Sequence, residues 1–225
     1  MRIDAAGWPF ILGGCALALV AWWAAGWTYG VAVFALSAFF LFFFRDPERV
    51  CHAAPLSVVA PADGRVMVAG APTGEAVPPG QWQQISIFLS PLDVHVNRIP
   101  VSGRVTRVEY HPGRFLPAYH KEAGDLNEHS EIVIDQGGQQ VIVRQIVGVL
   151  ARRVVCRTKE GLDVKAGDRF GVMKFGSRMD VFVPADATIH ARVGDTVVAG
   201  VTVVATLGAR PVTRASGQDR HHAHA

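Results

Sequence analysis

The sequence predicts a mainly β fold, a compact antiparallel β-sandwich or partly closed barrel, carrying an apolar helical hairpin at its N-terminus. Three observations lead there. Residues 5–44 contain no Asp, Glu, Lys or Arg, and they hold 12 of the 20 aromatic residues in the 225-residue chain. From Ser57 onward the pattern changes to short Val-rich and Ile-rich runs separated by Gly, Pro and Asp, which is how strands joined by tight turns read. Residues 164–171 and 193–200 repeat a Gly-Asp turn leading into a β-branched or aromatic run, an echo expected of stacked hairpins.

The apolar block comes first. A bilayer core about 30 Å thick takes ~20 apolar residues in one helix, so the block is twice as long as one span needs. It reads as two short helices within Pro9 to Phe44 that turn near Ala24-Ala25-Gly26. A buried hairpin of a soluble protein is the alternative. A secretory signal fits poorly, because the apolar part is too long, Asp4 offsets Arg2, and no polar segment with a small-residue cleavage site follows. Arg45-Asp46-Pro47-Glu48-Arg49 then marks the exit from the membrane, with Pro47 as a helix stop. Residues 1–44 are therefore expected to attach the chain to a cell membrane, peripherally or as a re-entrant hairpin on the cytoplasmic face.

Residues 45–209 are expected to form the β-domain. Strands are predicted at 65–69, 84–89, 104–110, 131–135, 140–147, 169–173, 179–183 and 201–207. Gln136-Gly137-Gly138-Gln139 is the turn of one hairpin. A second echo pairs Pro61-Ala62-Asp63-Gly64 with Pro184-Ala185-Asp186-Ala187. Residues 112–130 lack strand character and read as a mobile loop of the kind that carries function. The tail, residues 210–225, ends with His221, His222 and His224 and reads as a disordered terminus in preference to a metal site.

Arg2 and Asp4 cancel, so the net charge of +3 resides in the β-domain and tail, too little for the basic stripe of a nucleic-acid protein. Arg outnumbers Lys 18 to 4, which suits bidentate recognition of carboxylate or phosphate and is equally the mark of a GC-rich genome. Cys15, Cys51 and Cys156 are odd in number and far apart. They give no disulfide framework and no metal spacing, and they favour a reducing, cytosolic setting.

The most specific stretch runs from Met173 to Pro184 and contains Phe175-Gly176-Ser177-Arg178 between two strand-like runs. Glycine accepts backbone conformations that other residues resist, and strain at one peptide bond promotes attack by the next side chain. In this setting the motif resembles the self-cleavage site of the short bacterial and archaeal-type phosphatidylserine decarboxylases. The resemblance extends to Phe43-Phe44-Arg45-Asp46-Pro47, to Ala60-Pro61-Ala62-Asp63-Gly64, to the run from Phe88 to Arg98, and to Asn127-Glu128.

The resemblance implies a proenzyme cut between Gly176 and Ser177, leaving a β chain of residues 1–176 and an α chain of residues 177–225. Ser177 becomes a covalent pyruvoyl cofactor, which forms a Schiff base with phosphatidylserine in the membrane and yields phosphatidylethanolamine. It implies no metal, and it leaves assembly into a homo-oligomer open. His95 is the general acid/base that it favours, the alternative being a histidine bonded to backbone in a strand-end turn. Asp63 matches a carboxylate implicated in self-cleavage, the alternative being an Asp-Gly turn residue. The chain also departs from the longer branch of the family, which has a second histidine three positions after the first. Here Arg98 stands in that place, and a guanidinium cannot serve as a base. The base for self-cleavage thus lies among His95, His111, His120, His129 and Asp63. Arg98 itself is a candidate for binding the substrate phosphate or carboxylate, or else a surface ion pair. A second function is carried beside the first, a non-enzymatic membrane-anchored β-sandwich that binds a partner or presents a lipoyl-like carrier group. Lys174 is its only candidate carrier, and it is a poor one, because it lies in an apolar run and not at an exposed turn.

Overall fold

The computed structural model describes residues 2–149, 154–174 and 176–209. The chain opens with a two-residue strand β1 (Arg2–Ile3) and a single 3-10 turn, Ala5–Gly7. Two helices follow, α1 (Trp8–Ala25) and α2 (Trp27–Phe43), and they pack against each other as an antiparallel hairpin. Gly26 makes the turn between them at φ +100°, a conformation that glycine adopts without a steric penalty. Small residues let the helices approach closely. A Cβ on Gly14 would come within 2.4 Å of Ser37 Oγ, and one on Gly30 within 2.7 Å of Trp22 Cβ. The outer faces stay apolar and open, and Trp23 at the tip is 90% exposed. An exposed apolar surface this continuous calls for a partner.

The hairpin is fastened at its base. Strand β2 (Arg45–Asp46) pairs with β1, and the Asp4 N–H donates to the Phe44 carbonyl at 2.9 Å. Arg157 of the β-domain grips the Asp4 carboxylate with two bonds of 2.6 and 2.7 Å. Burial works to raise the Asp4 pKa, but Arg157 and the Ala6 N–H outweigh it and hold the carboxyl below its ordinary value. The α2 helix ends at Phe43, ahead of Pro47, because Arg45 and Asp46 go into extended pairing with β1.

The β-domain contains β3 (Ser57–Val59), β4 (Gly64–Gly70), β5 (Trp82–Leu89), β6 (Val96–Arg98) and β7 (Gly103–His111). After a short helix α3 (Ala123–Leu126) come β8 (His129–Gln136), β9 (Gln139–Ile146), β10 (Val154–Cys156), β11 (Asp163–Val164) and β12 (Arg169–Met173). The last are β13 (Ser177–Pro184), β14 (Thr188–Ile189), β15 (Thr196–Val197) and β16 (Val203–Thr206). Eight strands form one antiparallel sheet in the order β11-β7-β8-β9-β13-β5-β4-β15, curled into a half-barrel. Two three-stranded sheets, β10-β12-β6 and β14-β16-β3, complete the domain. Residues such as Ile85, Ile87, Ile134, Met179 and Val181 fill a single large core.

All eight expected strands are present, and the partly closed barrel is the form that the fold takes. The Gln136–Gln139 hairpin carries Gly137 at φ +61° and Gly138 at φ +84°, the two left-handed residues that a tight β-turn of this hand requires. The first echo is a repeated turn. In each copy an aspartate side chain accepts the N–H three residues before it, Asp168 from Lys165 at 3.0 Å and Asp195 from Arg192 at 2.8 Å. The second echo is not structural, since Asp63 is held by Arg49 and the Ala199 N–H while Asp186 is exposed. Six of the strands that the sequence did not reveal, β3, β6, β10, β11, β14 and β15, are two or three residues long and show no alternation to read. The 112–130 segment is folded on itself through α3 and a bridge between Arg114 and Asn127. The His-rich tail lies outside the described residues.

Candidate active site

Ser177 is the first residue of β13, flanked by β5 on one side and β9 on the other, and it pairs with Leu89 at the end of β5. Strand side chains alternate, so Ser177 shares the inner face with Met179, Val181 and Val183, all core residues. Its side chain is fully buried, and its Oγ has no hydrogen-bond partner among the described residues. A buried hydroxyl left unpaired costs about 1–3 kcal/mol and calls for a functional account. Gly176, just before it, sits at φ +71°.

His95 reaches the same rim by a different strand. The segment between β5 and β6 leaves Leu89 opposite Ser177 and returns at His95, whose carbonyl accepts the Met173 N–H at 3.2 Å. Residues 90–94 therefore span the gap between these two pairings. An Asp93 turn shapes the segment, its carboxylate accepting the Ser90 N–H at 2.8 Å. The Asp93 carbonyl then lies 2.9 Å from His95 Nδ1. A carbonyl only accepts, so Nδ1 carries the proton and Nε2 presents its lone pair. Nε2 is buried and without a hydrogen-bond partner among the described residues. Burial lowers the pKa of His95 to about 4, against the opposing pull of the Asp93 carbonyl, and so the ring is a neutral base at pH 7. The Phe43 ring packs against it at 4.1 Å between centroids.

Asp63 stands at the same end of the sheet, across β5 from Ser177. Arg65 pairs with Phe88, which puts Gly64 and Asp63 at the level of Leu89 and beyond. A Cβ on Gly64 would fall 2.0 Å from the Phe88 carbonyl oxygen, so glycine is required there. The Asp63 carboxylate receives two bonds from Arg49, at 2.6 and 2.7 Å, and a third from the Ala199 N–H at 2.8 Å. No hydrogen bond joins it to Ser177 or His95 among the described residues. Arg98 is buried, donating to the carbonyls of Gly167 and Pro47 at 2.9 Å each and lying 3.4 Å from Asp46, which Arg169 shares. Burial first, and Arg169 second, lower its pKa. Arg98 also lines a cleft with Arg49, Lys165 and Arg169.

Of the loop histidines, His111 and His129 stack on each other with centroids 4.6 Å apart, and His129 Nδ1 lies 2.9 Å from the Asn127 carbonyl. His120 is exposed beside Tyr119, whose ring meets Phe88. Sequence reasoning missed Phe43 as the cover of His95 and Arg49 as the partner of Asp63. It also missed Gly148, where an added Cβ would lie 2.3 Å from the Gly176 carbonyl oxygen. A glycine within the apolar run Ile146-Val147-Gly148-Val149 is a readable sign of close backbone approach.

The residues present fit a pyruvoyl group made from Ser177. The hydroxyl is unpaired, the preceding residue is a glycine with a left-handed backbone, and a neutral imidazole stands on the same rim. Among the described residues no group of three His, Cys, Asp or Glu has the arrangement to hold a metal. Lys174 does not suit a carrier, being half-buried with Nζ 4.8 Å from the centre of the Phe10 ring.

A family model described as phosphatidylserine decarboxylase matches residues 36–205. The chain is 43% identical over 202 residues to a phosphatidylserine decarboxylase proenzyme of Symbiobacterium thermophilum, covering 89% of this chain and 94% of that protein. It is 46% identical over 197 residues to the proenzyme of Salinibacter ruber, covering 86% of each. The proenzyme of Cupriavidus taiwanensis is 39% identical over 203 residues, covering 89% of this chain and 94% of its own length. The chain with Gly176 and Ser177 at the rim of its half-barrel belongs to the phosphatidylserine decarboxylase family.

Proposed function

We propose that this chain is a self-processing, pyruvoyl-dependent enzyme that converts phosphatidylserine to phosphatidylethanolamine at a membrane surface. The observation that carries the reading is the buried, unpartnered Ser177 hydroxyl directly after Gly176 at φ +71°. Ser177 Oγ attacks the Gly176 carbonyl carbon, the amide C–N bond breaks, and the hydroxyl proton ends on the freed amine, leaving an ester. Loss of the Ser177 α-proton then expels the Gly176 carboxylate. The resulting dehydroalanine takes up water and releases ammonia, which leaves residues 1–176 and an α chain of residues 177–225 capped by pyruvoyl. Asp63, paired with Arg49, is assigned to this processing step.

Once formed, the pyruvoyl carbonyl supplies an electrophile that takes up the substrate amine and accepts the electron pair left by departing carbon dioxide. The chain's own residues do the rest. His95 Nε2 holds and returns the proton exchanged at the substrate α-carbon. Phe43 excludes water around it. Recognition of the substrate's anionic groups is assigned to the cleft that Arg98 lines, where Lys165 and Arg169 face solvent. The apolar hairpin dips into the cytoplasmic leaflet and holds the rim beside the headgroups, since a diacyl lipid cannot readily leave the bilayer.

Denaturing gel electrophoresis and intact mass test the reading together. The purified wild type is expected as two fragments, the smaller starting at residue 177 with a pyruvoyl mass and a blocked N-terminus. Ser177→Ala is expected as one uncut, inactive chain. His95→Ala is expected to be cut but unable to decarboxylate. A wild type that remains whole sinks the proposal.

A further inference from the structure

We infer that Gly148, clamped by Asn127, holds the Gly176 carbonyl in place for attack by Ser177, and that this is a task of the 112–130 segment. The inference rests on the reading that the chain is cut between Gly176 and Ser177.

The first observation is the space at residue 148. An added Cβ there would lie 2.3 Å from the Gly176 oxygen and 3.2 Å from its carbonyl carbon. Both are backbone atoms, so no flexible side chain can give way. Gly148 is not in the left-handed region, unlike Gly176. Its backbone would accept any residue, and only the neighbouring carbonyl demands glycine.

The second observation is how the peptide before Gly148 is held. The Val147 N–H donates to the Glu128 carbonyl at 3.1 Å, and the Val147 carbonyl accepts from Asn127 Nδ2 at 2.8 Å. Asn127 is itself buried and locked, Nδ2 donating to the Leu116 carbonyl at 2.8 Å and Oδ1 accepting the Leu116 N–H at 2.9 Å. Ala118, two residues further on and buried, puts its Cβ 3.4 Å from the same point above Gly148. One asparagine thus ties Leu116 to the peptide just before Gly148, beyond the end of β9.

Forming the Oγ–C bond needs the carbonyl presented to the hydroxyl within a narrow range of positions, and a displacement of about 1 Å can cost on the order of 100-fold in rate. A methyl group at residue 148 has to push the Gly176 oxygen away by about that much. Gly148 and Asn127 are positioning residues on this account, acting before any ester exists.

The test follows processing of the full chain in membranes, on a gel, with and without hydroxylamine, which cuts an ester but not an amide. Gly148→Ala is expected to melt close to wild type, to process about 100-fold more slowly, and to stay whole in hydroxylamine. Asn127→Asp keeps the acceptor for the Leu116 N–H and loses the donor to both the Val147 and Leu116 carbonyls. It is expected to slow processing about 10-fold, again without an ester to intercept, and it carries the test if Gly148→Ala does not fold. Wild-type processing in a folded Gly148→Ala or Asn127→Asp overturns the inference, and so does a slow variant that hydroxylamine cuts at the wild-type rate. A wild type that never cuts overturns the reading of Ser177 and this inference with it. Equal cutting of wild type and variant overturns the inference alone.

Discussion

Phe43, the last residue of α2, packs its ring against the imidazole of His95 with 4.1 Å between centroids and 34° between planes. Phe43 is fully buried, and the neighbouring Arg45 donates to the Leu92 carbonyl at 2.7 Å, within the turn that leads to His95. The apolar hairpin and the candidate proton carrier therefore share one contact. Residues that look like the end of an anchor serve as a wall of the site.

Shrinking that wall should retune His95. Phe43→Leu keeps an apolar side chain but admits water, so the His95 pKa should climb from about 4 toward its ordinary 6.5. His95 acts as a base only when neutral, so the acid limb of the kcat/KM profile should move to higher pH. An unmoved limb would show that Phe43 does not shield the imidazole.

His95 also links stability to pH. Its folded pKa lies below the unfolded value, so between pH 6.5 and 4 the unfolded chain binds the extra proton and stability falls as pH falls. The loss reaches about 3 kcal/mol once pH is below both values. In an uncut Ser177→Ala background, His95→Gln should flatten the drop in melting temperature between pH 7 and pH 4.5. Parallel curves with and without His95 would rule this group out as the cause.

Asp63 is tied to Arg49 by two short bonds at a site where both side chains are mostly buried. Removing one partner strands the other, at a cost of about 3–5 kcal/mol for a buried pair. Arg49→Met and Asp63→Asn should both slow self-cleavage, and the effect of the double variant should fall well short of the sum of the two single effects. If Arg49→Met processes normally while Asp63→Asn does not, the carboxylate acts without its partner.

Most of the hairpin can be removed without opening the site. Its two ends are joined by the Asp4–Phe44 bond and the β1–β2 pairs, so a short Gly-Ser linker can replace residues 12–38 and spare the Phe10 and Phe39 rings that pack on Phe44 and Phe43, together with the Asp4–Arg157 clasp. Each helix is about 25–27 Å long at 1.5 Å per residue, close to the thickness of a hydrocarbon core. The shortened protein should still cut itself, should no longer sediment with phospholipid vesicles, and should lose most of its kcat/KM toward bilayer substrate. Continued sedimentation would reveal a second membrane-binding surface.

Much of this molecule is written locally. The charge-free block, the glycine at residue 26 and the alternation within β5, β8, β9 and β13 are properties of neighbouring residues, and helix, turn and strand follow from them. The Gly176-Ser177 pair in its strand context is local too. What only tertiary structure decided is which distant residues meet. Phe43 finds His95, Arg49 finds Asp63 and Gly148 finds the Gly176 carbonyl because antiparallel pairing of β4, β5, β9 and β13 brings their ends to one rim. Strand register is set by burial of a whole face at once, so no single segment carries it. The sequence by itself determined the two helices, the eight longer strands and the candidate nucleophile. The shared core determined the company that the nucleophile keeps, because packing a curled sheet leaves one arrangement of strand ends in which every inward face is covered.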